Sequence, residues 1–293
     1  MPSSIIRNQA YGWLLLTPAA IFLIAFTHYP AIATLGQSFF SESTAIRPAE
    51  FVGLENYQIM LTDEVFWKVV RNNIWYAIGT IPASVALAMI MAIWVNGKLA
   101  GRGLVRMAYF TPTILPMIAV ANIWLFFYTP DIGLIDQFLS MFGFSGRNWL
   151  GNPETVLSCI IVMTIWKEAG FFMIFYLAAL QSISPELEEA ARIEGAGRWY
   201  YFRRVTFPLI MPTTLFVLIN AVINSFKLVD HLFILTKGGP DNASSLLLYY
   251  IYEVAFSFFD EAYAATLTVV LLATLAVIAI GQFLFLDKRV HYR

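Results

Sequence analysis

Glu189-Ala190-Ala191-Arg192-Ile193-Glu194-Gly195, followed after nine residues by Val205-Thr206-Phe207-Pro208, is the stretch on which the fold of this chain turns. It is charged, while the sequence on either side is strongly apolar. Ser184-Pro185-Glu186 just before it supplies a helix N-cap, a proline at the first helical position and an acid in the first turn. A helix from Pro185 to about Glu194 places Leu187, Ala190, Ala191 and Glu194 along one face, and Gly195 and Gly197 stop it. A second, aromatic and basic helix from Trp199 to Thr206 then leads to Pro208. Residues 182–206 therefore read as a helix–turn–helix that lies outside lipid and carries a small-residue face suited to close docking.

The flanks explain why this polar island stands out. The 293 residues are 59% apolar and 13% charged, with a mean hydropathy of +0.69. Soluble domains run at about 45–50% apolar and about 25% charged. The excess arrives in blocks, which makes the chain an all-α polytopic membrane protein. A hydrocarbon core of about 30 Å needs about 20 apolar residues in a helix. Six stretches reach that length, at about 11–40, 73–96, 107–128, 155–181, 207–235 and 263–286. The polar island falls between spans four and five. Pro18 and Pro30 predict a kink or break in the first span, and Pro112 and Pro116 a bend in the third. The stretch after Arg7 is too long for a signal-peptide core and is expected to be a retained span.

Basic residues orient the spans. The N-terminus, the loop with Lys98, Arg102 and Arg106, the 182–206 segment and the C-terminus with Lys288, Arg289 and Arg293 carry eleven Lys and Arg, against five on the other side. Cationic loops stay in the cytoplasm. Both termini and the helix–turn–helix are expected there, with the acidic first loop (Glu42, Glu50, Glu55, Asp63, Glu64) outside. Trp67, Trp75, Trp94, Trp149 and Tyr249-Tyr250 fall at span boundaries, as interfacial aromatics do.

Several function classes are excluded. One cysteine, Cys159, and three scattered histidines (His28, His231, His291) offer no disulfide framework, metal site or catalytic set. No phosphate loop is present, so ATP hydrolysis is not expected here. No cofactor is implied, and no basic run suggests nucleic acid.

Polar groups inside spans are costly and point to function. Span four carries Lys167-Glu168. Span five carries Asn220, Asn224 and Lys227 at i, i+4 and i+7, with Asp230 and His231 beyond. Such a stripe either lines a translocation path or packs helices together. Lys167 or Lys227 could neutralise Glu168 or Asp230, and asparagines bond across helices for about 0.6–2 kcal/mol.

The Glu189-Ala190-Ala191 spacing resembles the EAA loop of binding-protein-dependent ABC importer permeases: EAA, three residues, glycine, nine residues, then I-x-L-P, here with Val205 for Ile and Phe207 for Leu. Phe51-Val52-Gly53-Leu54-Glu55-Asn56-Tyr57 resembles the first outer loop of the sugar-type members, such as maltose-type and glycerol-3-phosphate-type permeases. Ala179-Leu180-Gln181-Ser182-Ile183 resembles the stretch before their EAA loop, and Thr236-Lys237-Gly238-Gly239-Pro240 resembles their last outer loop. The resemblance implies one transmembrane permease domain over 1–293 in a bacterial cytoplasmic membrane. It implies a coupling helix whose Glu189, Ala190, Ala191 and Gly195 meet an ATPase. The implied partners are two ATP-binding subunits, a second related permease, an extracytoplasmic solute-binding protein and a sugar or sugar-derivative cargo, neutral or anionic. Sugar contacts in such permeases come from the regions matching Lys167, Glu168 and Phe172, and Asn224, Ser225, Lys227 and Asp230. An ion-coupled secondary transporter is the rival reading. It would use the buried charges but gives no reason for the helix–turn–helix.

Overall fold

The computed structural model describes residues 2–43, 46–97, 101–144 and 146–286. Lys98, Lys288, Arg289 and Arg293, which enter the charge tally, lie outside the described residues. Within those residues the chain is helical, with no strand beyond a single antiparallel bridge between Phe40 and Phe51. α1 (Pro2–Leu23) passes through a π-helical turn at Ile24–His28 into α2 (Tyr29–Gln37). Then come α3 (Glu55–Thr62), α4 (Glu64–Asn96), α5 (Arg102–Ile114), α6 (Met117–Phe127), α7 (Leu134–Ser140) and α8 (Val156–Gln181). α9 (Pro185–Ile193) and α10 (Arg198–Tyr201) follow. A second π-turn, Phe202–Thr206, connects to α11 (Phe207–Leu209), α12 (Met211–Lys227), α13 (Asp230–Leu235), α14 (Leu247–Phe256) and α15 (Glu261–Leu286).

Among the described residues, five stretches are long and apolar enough to cross a membrane: Tyr11–Gln37, Glu64–Asn96, Val156–Gln181, Met211–Leu235 and Glu261–Gln282. The pair α5–α6 makes a sixth when its two arms, bent by 101°, are counted as one span. Pro30 does not break the first span. It has no N–H to offer Phe26, and the helix absorbs this by widening into the π-turn, where Leu23 O lies 3.2 Å from His28 Nδ1. Pro116 does break the third, because a residue before proline is driven out of the helical region. Leu115 is extended at φ −71°, ψ 136°.

The chain divides into two units, 1–63 with 251–273, and 64–250 with 274–293. In the first, the Phe51–Tyr57 motif is a staple. Asn56 Nδ2 donates to the carbonyls of Ser38 (3.0 Å) and Phe40 (2.8 Å), and the Tyr57 and Ser38 hydroxyls share a 2.8 Å bond. Glu42 accepts from the Ala262 N–H at 2.8 Å. An acid at the start of α15 answers both the free amide and the positive end of the helix dipole.

In the second unit, α4 packs along α8, and α12 lies against α4. One apolar cluster centres on Tyr76, Ile160, Met163 and Leu232, another on Ala88, Phe172, Tyr176 and Val217. The loop 236–246 is pinned to the start of α4. Asn72 Nδ2 donates to the carbonyls of Asn242 (2.7 Å) and Ser245 (3.1 Å), Asn73 Oδ1 accepts from the Leu247 N–H (3.0 Å), and Lys68 pairs with Asp241 at 2.7 Å.

The segment between α6 and α8 is organised by one carboxylate. Asp136, buried at 3% exposure, accepts from the N–H groups of Asp131 (2.9 Å) and Arg147 (3.2 Å) and from Trp149 Nε1 (2.6 Å). Burial pushes its pKa up, but the three donors together hold it below the ordinary carboxylate value. Its folded-state pKa is depressed, so it adds stability at every pH above about 4, the unfolded value. That contribution is lost as pH falls through the folded value. Asp136→Asn is therefore expected to free Trp149, red-shifting and quenching its emission, and to flatten the acid limb of thermal stability. Unchanged fluorescence and an unchanged acid limb would remove Asp136 from this role.

Candidate functional site

The polar residues of spans four and five separate into three groups. The first is a small cavity enclosed by α4, α8 and α12. Glu168 Oε2 accepts a 2.7 Å hydrogen bond from Asn224 Nδ2. Thr80, Ser84, Thr164, Phe172 and Ser225 complete much of the lining. The volume is about 10 Å³, room for roughly one water. Phe172 is almost fully buried, its ring shared between this cavity and the apolar cluster.

The second group is Lys167 alone. It neighbours Glu168 in sequence, but its ammonium points to the break in the third span. Nζ donates to the carbonyls of Pro112 (3.0 Å) and Leu115 (2.7 Å). Pro116 has no N–H for Pro112, so the lysine replaces the donor that the helix lacks. Gly170, one turn on, makes the approach possible: a Cβ there would lie 2.2 Å from the Tyr109 carbonyl oxygen. The pair Lys167 and Gly170 thus grips the end of α5.

The third group departs from the single stripe expected on span five. The chain is extended at Leu228 (φ −84°, ψ 105°) between α12 and α13. Lys227 ends one helix and Asp230 begins the next, each at the end whose dipole favours its sign. Both are exposed. The break turns His231 inward, where its ring lies nearly parallel to that of Tyr76, centroids 6.2 Å apart. Asn220 is occupied within its own helix, donating to the Phe216 carbonyl at 2.8 Å.

Sequence reasoning passed over the contribution of α4. Tyr76 bonds the Thr164 hydroxyl at 2.9 Å, and Asn73 Nδ2 donates to the Ser225 carbonyl at 3.4 Å. The adjacent Asn72-Asn73 and the i, i+4 pair Thr80/Ser84 were the available signals, since both place polar groups on the buried side of an otherwise apolar helix.

The segment after α8 is built for exposure. Ser184 caps α9 by accepting from the Glu186 N–H, and Glu188 pairs with Arg192 one turn later. Gly195 adopts φ +74°. The Ala196 N–H donates to Ala191 O (2.9 Å) and the Gly195 N–H to Arg192 O (3.1 Å), the double bond pattern of a Schellman stop. No residue of α9 is buried. Glu189 and Ala190 are exposed and Ala191 partly so, while Ile193, one turn after Glu189, is 88% exposed.

Broken spans with internal polar groups, carrying a rigid exposed helix between two of them, are the architecture of a membrane transport subunit. The family model for the binding-protein-dependent transport system inner membrane component matches residues 84–292, and the chain belongs to that family. It is accordingly a multi-pass inner-membrane permease component of an ABC transporter rather than an enzyme, which disfavours the ion-coupled carrier.

Among its relatives is the sulfoquinovosyl glycerol transport system permease protein SmoG of Agrobacterium fabrum, 33% identical over 89% of this chain and 85% of that one. The lactose transport system permease protein LacF of Rhizobium radiobacter is 32% identical over 93% and 92%. In fold, the chain resembles the crystal structure of a bacterial ABC transporter involved in the import of the acidic polysaccharide alginate, at TM-score 0.87 and 23% identity, over 97% of this chain and 98% of that one.

The distinct positions of Lys167 and Glu168 predict opposite phenotypes. Lys167→Met strands two buried carbonyls, at about 1–3 kcal/mol each, and is expected to lower membrane levels and melting temperature. Glu168→Gln keeps the hydrogen-bonding shape and is expected to preserve folding while altering transport. Equal stability losses in the two variants, read by fluorescence-detected size exclusion after heating, would contradict the assignment.

Proposed function

We propose that the chain forms half of the transmembrane pathway of an importer for a sugar or sugar derivative, driven by ATP hydrolysis on partner subunits. The observation that carries this reading is α9: none of its residues is buried, and it is capped at both ends and stopped by a left-handed glycine. Such a helix is preorganised to seat in a cleft of another protein. Glu189, Ala190, Ala191 and Gly195 are the proposed contact with a cytoplasmic ATPase. The charge bias read from the sequence puts this segment and both termini in the cytoplasm.

The remaining partners follow from geometry and kinship. A cavity with room for roughly one water cannot hold a sugar, which supports a pathway completed by a second permease facing this one. Two ATP-binding subunits and an extracytoplasmic solute-binding protein complete the proposed assembly over the single domain 1–293. Closure of the nucleotide-binding subunits would pull α9 and rock the two halves between inward- and outward-facing states.

The cargo class rests on the relatives named for sulfoquinovosyl glycerol and lactose transport, together with the groups available here. Glu168, Asn224, Ser225 and Asn220 can exchange hydrogen bonds with hydroxyls. Lys167 spends its ammonium on backbone carbonyls, which removes one of the two cations that would hold an anionic cargo. Phe172, Lys227 and Asp230 belong to the proposed path only where a second permease or a change of state brings cargo to them. The proposal therefore favours a neutral sugar or polyol.

Gly195→Trp tests the coupling assignment. Every L-residue is strained at φ +74°, but a Cβ at Gly195 meets nothing within 4 Å. Insertion and stability are expected to survive while transport and ATPase co-purification fall. Normal transport by this variant would refute the contact. For cargo, uptake into cells should be competed by neutral sugars, and competition by anionic derivatives alone would overturn the neutral reading.

A further inference from the structure

An open groove of about 630 Å³ lies at the N-terminal ends of α4 and α8, away from the Glu168 cavity. Arg71, Trp75 and Ile78 line one wall, and Glu154, Leu157 and Ile161 the other. Its chemistry changes with depth. Arg71 and Glu154 are exposed charges at the rim, and neither is ion-paired among the described residues. Lys68 is beside them but is already held by Asp241. Below the rim come Trp75, 59% exposed, and then mainly aliphatic side chains, Ile78 (57% exposed), Leu157 and Ile161, with Ser158 the one hydroxyl among them.

The depth of these groups in a membrane follows from helix length. α4 has 33 residues, about 50 Å at 1.5 Å per residue, whereas the hydrocarbon core is about 30 Å thick. Its first turns, with Lys68 and Arg71, extend past the hydrocarbon. Trp75 sits where indoles favour the interface, and Ile78 lies about 10 Å deeper than Arg71. Glu154 lies just before Thr155, the N-cap of α8, so it stands at the rim while Leu157 and Ile161 descend from it. Apart from Lys68, which Asp241 holds, the groove therefore has one cation and one carboxylate at headgroup level, above a largely apolar channel at acyl-chain level.

We propose that this groove binds a zwitterionic aminophospholipid. Its phosphate meets Arg71, its ammonium meets Glu154, and one acyl chain lies along Trp75, Ile78, Leu157 and Ile161. A guanidinium suits a phosphate through forked, charge-assisted hydrogen bonds, and the carboxylate suits a primary ammonium. An anionic lipid satisfies Arg71 but sets its net charge against Glu154. A soluble solute gives no use to the apolar walls. The site is independent of the transported cargo, and its ligand comes from the bilayer.

The test uses the chain purified with whichever subunits accompany it, reconstituted in nanodiscs of equal phosphatidylethanolamine and phosphatidylglycerol. Lipids retained after release into detergent are then counted by native mass spectrometry. The wild type is expected to retain phosphatidylethanolamine in preference to phosphatidylglycerol. Arg71→Gln should lower that retention about tenfold, the scale of one lost charge-assisted contact. Glu154→Gln should abolish the preference between the two headgroups without abolishing retention. Both positions are exposed, so assembly should be unaffected. Three outcomes would overturn the proposal: no retained lipid on the wild type, equal retention of the two lipids, or variants that select as the wild type does. A second permease shielding the groove would give the first of these.

Discussion

A backbone carbonyl freed inside a bilayer must find a donor within the protein, because lipid supplies none. This constraint governs the shape of the chain. Pro116, four residues after Pro112, ends α5 in mid-span and strands the carbonyls around its end. The 101° bend that results is tolerable because Lys167 reaches over from α8 and donates to two of them. Gly170 is the steric half of the same device, since only a residue without Cβ lets the α5 backbone come so close. A buried lysine that looks like a binding residue in sequence is thus occupied in keeping an irregular span inside a membrane protein.

With α5 held to α8, the rest of the interior falls into place around α4. Its buried face carries a ladder of small polar groups, from Asn72 and Asn73 through Tyr76 and Thr80 to Ser84. The upper members bind the loop 236–246 and the Ser225 carbonyl, and the lower ones surround the Glu168–Asn224 pair. Each contact is worth only about 1 kcal/mol in such settings. Their value lies in position: the loop 236–246, the break after α12 and the mid-span carboxylate all register against one helix.

The fold class was legible because hydropathy blocks and Pro/Gly punctuation are local properties. Ser184, Pro185 and Gly195 marked the limits of α9 through the chemistry of helix caps, which acts over one turn and is written in consecutive residues. The partition of Lys167 from Glu168 was not legible. Adjacent residues on a helix point about 100° apart, and which neighbour each meets depends on where α5 breaks and how α12 lies. The stripe on span five failed for a related reason. Periodicity assumes an unbroken helix, and nothing in Leu228-Val229 is a proline or glycine that would announce the extended turn. His231 consequently looked like a member of a polar face and is instead buried against Tyr76.

The small volume of the Glu168 cavity bears on why such a chain works in company. A closed interior of this size lets α4, α8 and α12 move as one body, since packed cores shift between discrete arrangements rather than deforming continuously. In the proposed assembly, space for cargo would open beside this body rather than through its middle. An exposed, rigidly capped helix between spans four and five is the counterpart of that design. In the proposed coupling, a pull on α9 would pass through the short link 182–184 into the C-terminal end of α8, whose other residues hold both the broken span and the mid-span carboxylate.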